Sequence, residues 1–293
     1  MVSVVDSKGK PVLNLDKTAF HFHGEPFIDV VEAKLHRQVP RALLMIDVSG
    51  SMMLPDKSAV VRALAEGIIS AALPNDPFAL VTFSERIGER MDFAASKQTL
   101  LTAVEKIGRS TKTRPEDGRR TALYDSLLES LNMFPNAQQN NVIFLISDGG
   151  DNKSRASMPE LKSQLIDKLP RIFTLILDEA NPATNEERGG LHFMLQLSDT
   201  TGGRPFRFGT TMPLFNPVTH KWSSDPEGLA AAKSLGEYIY VVSSVYYRLD
   251  LTTRVPVKKE TRLNLEVEST DGKKLHAFFS RNLQPCGTPA ISK

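Results

Sequence analysis

The sequence has one cysteine, one tryptophan and almost no net charge, and two of these shortages exclude a class of protein. Cys286 is the only cysteine among 293 residues, so no disulfide can form within the chain. The formal net charge is +2, which gives no electrostatic basis for binding nucleic acid. No run of about 18 apolar residues occurs, so the sequence predicts no membrane span.

Signatures of common enzymes and of secretion are also missing. The chain contains neither a Gly-x-Ser-x-Gly elbow nor a phosphate-cradling Gly-x-x-x-x-Gly-Lys loop. The first residues, Met1 to Asp6, have no basic start and no apolar core of the kind that a signal peptide requires. What is present is an ordinary globular balance of 41% apolar and 24% charged residues.

An apolar run followed by oxygen-bearing side chains organises the sequence. The run from Ala42 to Ile46 is too short for a helix and predicts a buried parallel strand. Asp47 ends it, and Ser49, Gly50 and Ser51 follow. Hydroxyl and carboxylate oxygens suit a hard cation such as Mg²⁺, and ligands bind at this edge of an open α/β sheet. Capping of the following helix is the alternative, and these residues alone do not decide between the two.

Two later stretches favour the metal site. Thr121 stands directly before a helical pattern that runs to Phe134. Asp148 follows a second apolar strand, predicted over Val142 to Ile146. Because parallel strands end at the same edge of a sheet, we expect Asp47 and Asp148 to lie close together.

Together these three motifs resemble the metal-ion-dependent adhesion site of von Willebrand factor type A domains. They are Asp-x-Ser-x-Ser at 47–51, the threonine before Ala-Leu-Tyr-Asp, and Ser-Asp-Gly at 147–149. The resemblance implies one divalent cation, Mg²⁺ or else Mn²⁺ or Ca²⁺. It implies roles for five residues, with Ser49, Ser51 and Thr121 as direct or near-direct ligands and with Asp47 and Asp148 acting mainly through metal-bound waters.

One departure from that family lies beside the threonine. The family commonly has Gly-Gly at this place, where this chain has Arg119 and Arg120. Two arginines here would either stiffen the loop and repel the cation or extend the binding surface toward an acidic partner. A solvated basic loop is the third interpretation, and the sequence leaves the three open.

The whole chain is similar to bacterial von Willebrand factor A-related proteins that are abundant in acidobacteria. The features that carry this finer resemblance are Val4 to Val12, Ser147 to Gly149, Thr201 to Arg204 and Tyr247 to Leu249. Members of that family are usually exported. The resemblance therefore implies a periplasmic or extracellular protein whose signal segment is absent from this chain.

Alternating strand and helix patterns over residues 41–209 predict a doubly wound, mostly parallel α/β sheet. Residues 1–37 and 245–283 read as β strands, and a strand pair from either end would be marginal by itself. We therefore predict one small β-sandwich built from both ends, with an α/β domain of residues 38–244 inserted into it. Residues 284–293 are predicted to form a disordered tail.

The final helix of the inserted domain leads directly into the predicted sandwich. Residues 210–224 are predicted as a loop, and Glu227 to Ser244 as a long helix that ends at the strand beginning with Val245. This layout resembles integrin β subunits, where rearrangement at the metal site is linked to a shift of the last helix. A shift of this helix on ligand binding is one hypothesis, and rigid packing is the other.

The function predicted from these features is a non-enzymatic, metal-dependent protein-binding module of the adhesion type. Its partner would present an Asp or Glu carboxylate to the cation. One alternative is a metal-dependent phosphoesterase-like hydrolase, since Asp47 resembles the nucleophile of haloacid-dehalogenase-type phosphatases; those enzymes need a second acid where this chain has Ser49. Another alternative is a structural scaffold with a vestigial metal site.

Overall fold

The structure is a computed structural model that describes residues 1–24, 27–109, 120–135, 140–177, 185–208, 214–216 and 221–285. Arg119 and residues 286–293 of the predicted tail, including Cys286, lie outside the described residues. The strands are β1 Val2–Val5, β2 Phe20–Phe22, β3 Ile28–Arg37, β4 Arg41–Asp47, β5 Phe78–Phe83, β6 Ile87–Met91, β7 Asn141–Ser147, β8 Arg171–Ile176, β9 Pro205–Arg207, β10 Phe215–Asn216, β11 Lys221–Trp222, β12 Val245–Thr253, β13 Thr261–Arg262, β14 Leu265–Glu268, β15 Lys274–Phe279 and β16 Asn282–Leu283. The helices are α1 Pro55–Ala71, α2 Lys97–Lys106, α3 Leu123–Leu131, α4 Met158–Lys168, α5 Asn185–Thr201 and α6 Pro226–Ser243.

The centre of the molecule is a six-stranded sheet in the order β6-β5-β4-β7-β8-β9. Every neighbouring pair is parallel except β5 and β6, where β6 forms an antiparallel edge. Helices α1, α2 and α6 cover one face, and α3, α4 and α5 cover the other. The predicted doubly wound α/β fold is therefore confirmed.

Strand β4 shows why this sheet is so well buried. Successive side chains point to opposite faces of a strand, so Leu44 and Ile46 enter one helical layer while Leu43 and Met45 enter the other. All four are fully buried. Burying one such side chain contributes about 1.5–3 kcal/mol, so the central strands carry a large share of the hydrophobic stabilisation.

The order of the strands reverses at β4. From β4 the chain moves outward through β5 to β6, and it then returns to the opposite side of β4 as β7. Such a reversal opens a crevice beyond the carboxyl ends of the two central strands. Asp47 ends β4 and Asp148 follows β7, so the predicted site residues lie on the two sides of this crevice.

Strands from both chain ends form a second six-stranded antiparallel sheet in the order β2-β14-β15-β1-β12-β3. Strands β2 and β3 are consecutive in sequence but occupy opposite edges. A flat sheet would place them about 24 Å apart, whereas six extended residues reach at most about 22 Å. The sheet therefore curls, and β2 contacts β3. Its inner face holds a separate apolar cluster, which includes Val4, Phe20 and Tyr247.

The curled sheet is attached to the α/β core by several polar contacts. The Tyr238 hydroxyl of α6 donates to the carbonyl oxygen of Gly9, and the Ser280 hydroxyl donates to the carbonyl oxygen of Thr200 at 2.8 Å. The Arg204 guanidinium lies 4.9 Å from the ring centroid of Phe278. The division into an inserted domain of residues 38–244 and a β domain from both ends remains a prediction.

Tyr247 connects the two chain ends and allows their association to be tested. Its buried hydroxyl donates to the carbonyl oxygen of Val12 and accepts from the backbone N–H of Leu15, both at 3.0 Å. Tyr247→Phe leaves both backbone groups without this partner, so we expect the free energy of unfolding to fall by about 1–3 kcal/mol. Urea unfolding measures this change. Tyr246→Phe is the control, since its hydroxyl donates to the side chain of the exposed Gln38, and equal stability of the two variants would contradict the prediction.

The prediction of a loop over residues 210–224 is wrong in one respect. Strands β10 and β11 pair antiparallel, with Phe215 opposite Trp222. Trp222 is buried in the same apolar cluster as α1 and α6, and Leu214 joins it there. Burial of this large ring beside α1 holds the short strand pair in place, and a pattern read along the sequence alone does not show such a contact.

Candidate metal centre

Asp47 forms the buried base of the site. Its carboxylate is fully buried, with Oδ1 accepting from the Ser49 backbone N–H at 2.9 Å and Oδ2 accepting from the Ser147 hydroxyl at 2.7 Å. Burial, assisted by the nearby charge of Asp148, raises the pKa of Asp47 to about 7, although the bonds from Ser147 and Ser49 act in the opposite direction. Asp47 therefore shapes the loop that follows β4 by holding the N–H of Ser49.

Ser49, Ser51 and Asp148 form the outer part of the same network. The Ser51 hydroxyl donates to Oδ2 of Asp148 at 2.6 Å, and the Ser49 and Ser51 hydroxyl oxygens lie 3.5 Å apart. Ser49 is buried, whereas Ser51 is exposed. The structure thus brings four of the five predicted residues together across the crevice, with oxygens that range from buried to solvent-facing.

Lys57 is a member of this network that the sequence reasoning missed. It lies in the first turn of α1 with a side chain only 6% exposed, and its Nζ is 3.2 Å from Oδ2 of Asp148. Burial acts to raise the pKa of Asp148, but the Lys57 ammonium and the bonds from Ser51, Lys57 and Gly150 hold that pKa below its usual range. The sequence did contain a signal for the burial of Lys57. Its helical spacing to the buried Val61 and Leu64 places this lysine on the buried face of α1.

Thr121 lies at the same edge and is held there by its backbone. Its N–H donates to Oδ1 of Asn152 at 3.0 Å, and its carbonyl oxygen accepts from the N–H groups of Asn152 and Lys153. Thr121 itself is buried. Within the described part of the chain, the Thr121 hydroxyl forms no hydrogen bond to the other four predicted residues. The loop after Asp148 therefore positions Thr121.

Two further acids of this loop region position the site. Ala122 precedes helix α3 and has no side chain that could cap the helix. Oδ2 of Asp151 takes this role by accepting from the Tyr124 N–H at 2.9 Å. In return, Asp125 accepts from the backbone N–H groups of Arg155 and Ala156. These reciprocal bonds join the β7–α4 loop to the start of α3. The motif comparison missed both roles, since each depends on a contact distant in sequence.

The donor set fits a hard divalent cation. Its members are hydroxyl and carboxylate oxygens, which are the ligands that Mg²⁺, Mn²⁺ and Ca²⁺ prefer. No group of three or more His, Cys, Asp and Glu side chains that could hold a metal occurs among the described residues. A cation at this place would therefore depend on serine and threonine oxygens as well as on carboxylates.

The fold and this cluster together define a doubly wound α/β domain with an oxygen-lined crevice at its switch point. Residues 42–150 match the family model of the von Willebrand factor type A domain, so the chain contains a domain of that family. Domains of this family are in many cases metal-dependent modules of adhesion and protein interaction. No curated protein matches the sequence.

Solved structures with a similar fold come from several organisms. Proximal thread matrix protein 1 from the mussel byssus is 16% identical with a TM-score of 0.50, over 76% of this chain and 51% of that one. A von Willebrand factor type A protein from Catenulispora acidiphila is 13% identical over 91% and 72% of the two chains, with a TM-score of 0.47. The manganese-loaded TRAP protein of Plasmodium vivax is 14% identical over 86% and 96%, with a TM-score of 0.44.

The likeness to the mussel protein concerns the fold alone. This chain spans about half of the length of the mussel chain that it matches. Among the described helices, none is long and apolar enough to cross a membrane.

Proposed function

We propose that this protein is a non-enzymatic binding module that captures an acidic side chain of a partner protein through a divalent cation. The cation would be held by Asp47, Ser49, Ser51, Thr121 and Asp148. Mg²⁺ is the first choice, with Mn²⁺ or Ca²⁺ as alternatives of the same ligand preference. We further propose that the module acts outside the cytoplasm, as the sequence resemblance implies.

The observation that supports this proposal most directly is the bond between Ser51 and Asp148. It joins the loop after β4 to the loop after β7 across the crevice at 2.6 Å, although the two residues are 97 positions apart in the sequence. Ser51 is exposed, so the outer side of this pair is open to a partner. A site that offers oxygens on one side and solvent on the other is suited to a ligand shared with a second protein.

Asp47 would shape the site, whereas Ser49 and Ser51 would supply oxygens to the cation. Asp47 holds the Ser49 N–H and the Ser147 hydroxyl, which sets the path of the loop through Gly50. Ser49 and Ser51 direct neutral hydroxyls into the crevice. When bound, the cation would carry a positive charge that the neutral hydroxyls of Ser49 and Ser51 leave largely uncompensated. A partner carboxylate would compensate this charge and complete the set of oxygen ligands.

The hydrolase alternative is poorly supported by the surroundings of Asp47. An aspartyl nucleophile must present a free oxygen to its substrate, but Asp47 is fully buried and both of its oxygens accept hydrogen bonds. Assays on model phosphate esters test this alternative. Metal-dependent hydrolysis that is lost in Asp47→Asn would favour the enzyme.

Binding to a carboxylate can be tested with two short peptides that differ at one position, Asp in one and Asn in the other. Mn²⁺ held at the site should broaden the proton resonances of the Asp peptide in the presence of the protein, because only a carboxylate completes the cation's shell. The Asn peptide should show little broadening. Equal effects on the two peptides would contradict carboxylate capture, and absence of Mn²⁺ binding would favour a scaffold with a vestigial metal site.

A further inference from the structure

Lys57 places a fixed positive charge where the site would hold its cation. Its Nζ lies 3.2 Å from Oδ2 of Asp148, the same oxygen that accepts from Ser51. The lysine side chain is 6% exposed and that of Asp148 is 20% exposed, so solvent screens the pair only partly.

We propose that Lys57 is a built-in competitor of the divalent cation for Asp148, and that it must leave this carboxylate when the cation binds. The inference rests on the proposed function, since it concerns the regulation of the same site. Two cations that seek one carboxylate oxygen repel each other, and the repulsion is strong where solvent is largely excluded. Lys57 therefore weakens cation binding and keeps the site in a closed ion pair until a cation replaces it.

A second resting place for the ammonium is present beside the first. Nζ of Lys57 lies 5.9 Å from the ring centroid of Trp222, which is within the range of a cation–π contact. Movement away from Asp148 toward this ring would keep the charge in a favourable environment. The lysine has three donors on a flexible stem, so such a change needs no movement of the helix.

This arrangement connects the site to the segment before α6. Trp222 belongs to β11, and the Ser224 hydroxyl two residues later donates to Oδ1 of Asp56 at 2.7 Å. Asp56 and Lys57 are neighbours in the first turn of α1. The first turn of α1 thus contacts Asp148 on one side and the entry to α6 on the other. A cation that displaces Lys57 changes the surroundings of Trp222.

Calorimetric titration with Mg²⁺ tests the competition. Lys57→Met keeps the length of the side chain and removes its charge, so we expect Mg²⁺ to bind at least about tenfold more tightly, which is the effect of one pKa unit of charge interaction. Lys233→Met is the matched control, because Lys233 pairs with Glu66 on the surface and should leave the affinity unchanged. If Lys57→Met does not fold, Lys57→Gln retains a hydrogen-bond donor without the charge and serves in its place.

The tryptophan provides an independent measurement. Trp222 is the only tryptophan of the chain, so its fluorescence reports directly on the second resting place. Mg²⁺ should change this emission in the wild type and leave it unchanged in Lys57→Met. Mg²⁺ binding of equal affinity in both proteins, or binding without a change in emission, would overturn the role of Lys57 while preserving the metal site. Absence of Mg²⁺ binding in both proteins would instead refute the proposed function, and this inference with it. Binding by Lys57→Met alone would support the competition.

Discussion

Replacing Asp47 and Asp148 together by alanine is expected to abolish Mg²⁺ binding. The double variant removes both carboxylates of the crevice and leaves only neutral hydroxyls, which bind a hard divalent cation poorly. Asp47→Asn alone is expected to weaken binding by about 10–100-fold, the usual effect of removing a group that orients the ligands of a metal. Calorimetric titration with Mg²⁺ measures both. Undiminished binding in the double variant would show that the cation is held elsewhere.

A single substitution of Asp47 would affect the stability of the fold as well as the metal site, because Asp47 also has a structural role. Alanine there leaves the Ser147 hydroxyl and the Ser49 N–H without their acceptor, and each such loss costs about 1–3 kcal/mol. Asparagine keeps one acceptor oxygen, so it separates the loss of charge from the loss of fold. Asp76→Asn is the matched control, since Asp76 accepts from Leu73 and Tyr240 beyond the far end of α1. It should leave Mg²⁺ affinity unchanged.

Gly236→Ala is expected to lower the free energy of unfolding by about 1–3 kcal/mol, or more if the helices cannot separate. A Cβ atom added at Gly236 would lie 2.2 Å from the Leu64 carbonyl oxygen and 2.9 Å from the Ile68 nitrogen. Both are backbone atoms of α1, so no side chain can turn away to make room. On the facing helix, a Cβ at Gly67 would lie 2.0 Å from the Lys233 carbonyl oxygen. Helices α1 and α6 therefore meet backbone to backbone.

Gly189→Ala is the control for this prediction. Nothing lies within 4 Å of a Cβ added at Gly189, which is also in a helix. Alanine there should stabilise the protein by up to about 1 kcal/mol through helix propensity alone. Thermal or urea unfolding of the two variants makes the comparison, and a Gly236→Ala protein as stable as Gly189→Ala would show that the α1–α6 contact is looser than described.

The close α1–α6 contact also bears on the hypothesis that α6 shifts when a ligand binds. A shift of one turn along α6 would bring Ala232 or Tyr240 to the place of Gly236. Either side chain would meet the backbone of α1, so sliding requires the two helices to move apart first. The shift of the final helix remains a prediction, and the glycine contact is the barrier that it would have to overcome.

The sequence by itself determined the α/β class and most of its elements. The predicted β4 and β7 differ from the structure by only one residue at each end. This was possible because burial of a short apolar run between two helical layers is a local property that periodicity reveals. The oxygen-bearing residues that follow β4 and β7 also stand in short local motifs, so they could be recognised from the sequence. The start of helix α5 at Asn185 is not evident from the sequence, since its first turns carry no apolar period.

Only the tertiary structure decided which charges meet and how the chain ends combine. Lys57 and Asp148 are 91 residues apart, and their pairing depends on β7 lying beside β4, which no local pattern specifies. The same holds for Asp151 at the start of α3, and for β1 of the first residues pairing with β15 near the end. Such contacts arise because hydrogen-bond partners and counter-charges are selected by proximity after the sheets assemble, and proximity between distant segments is a property of the whole fold.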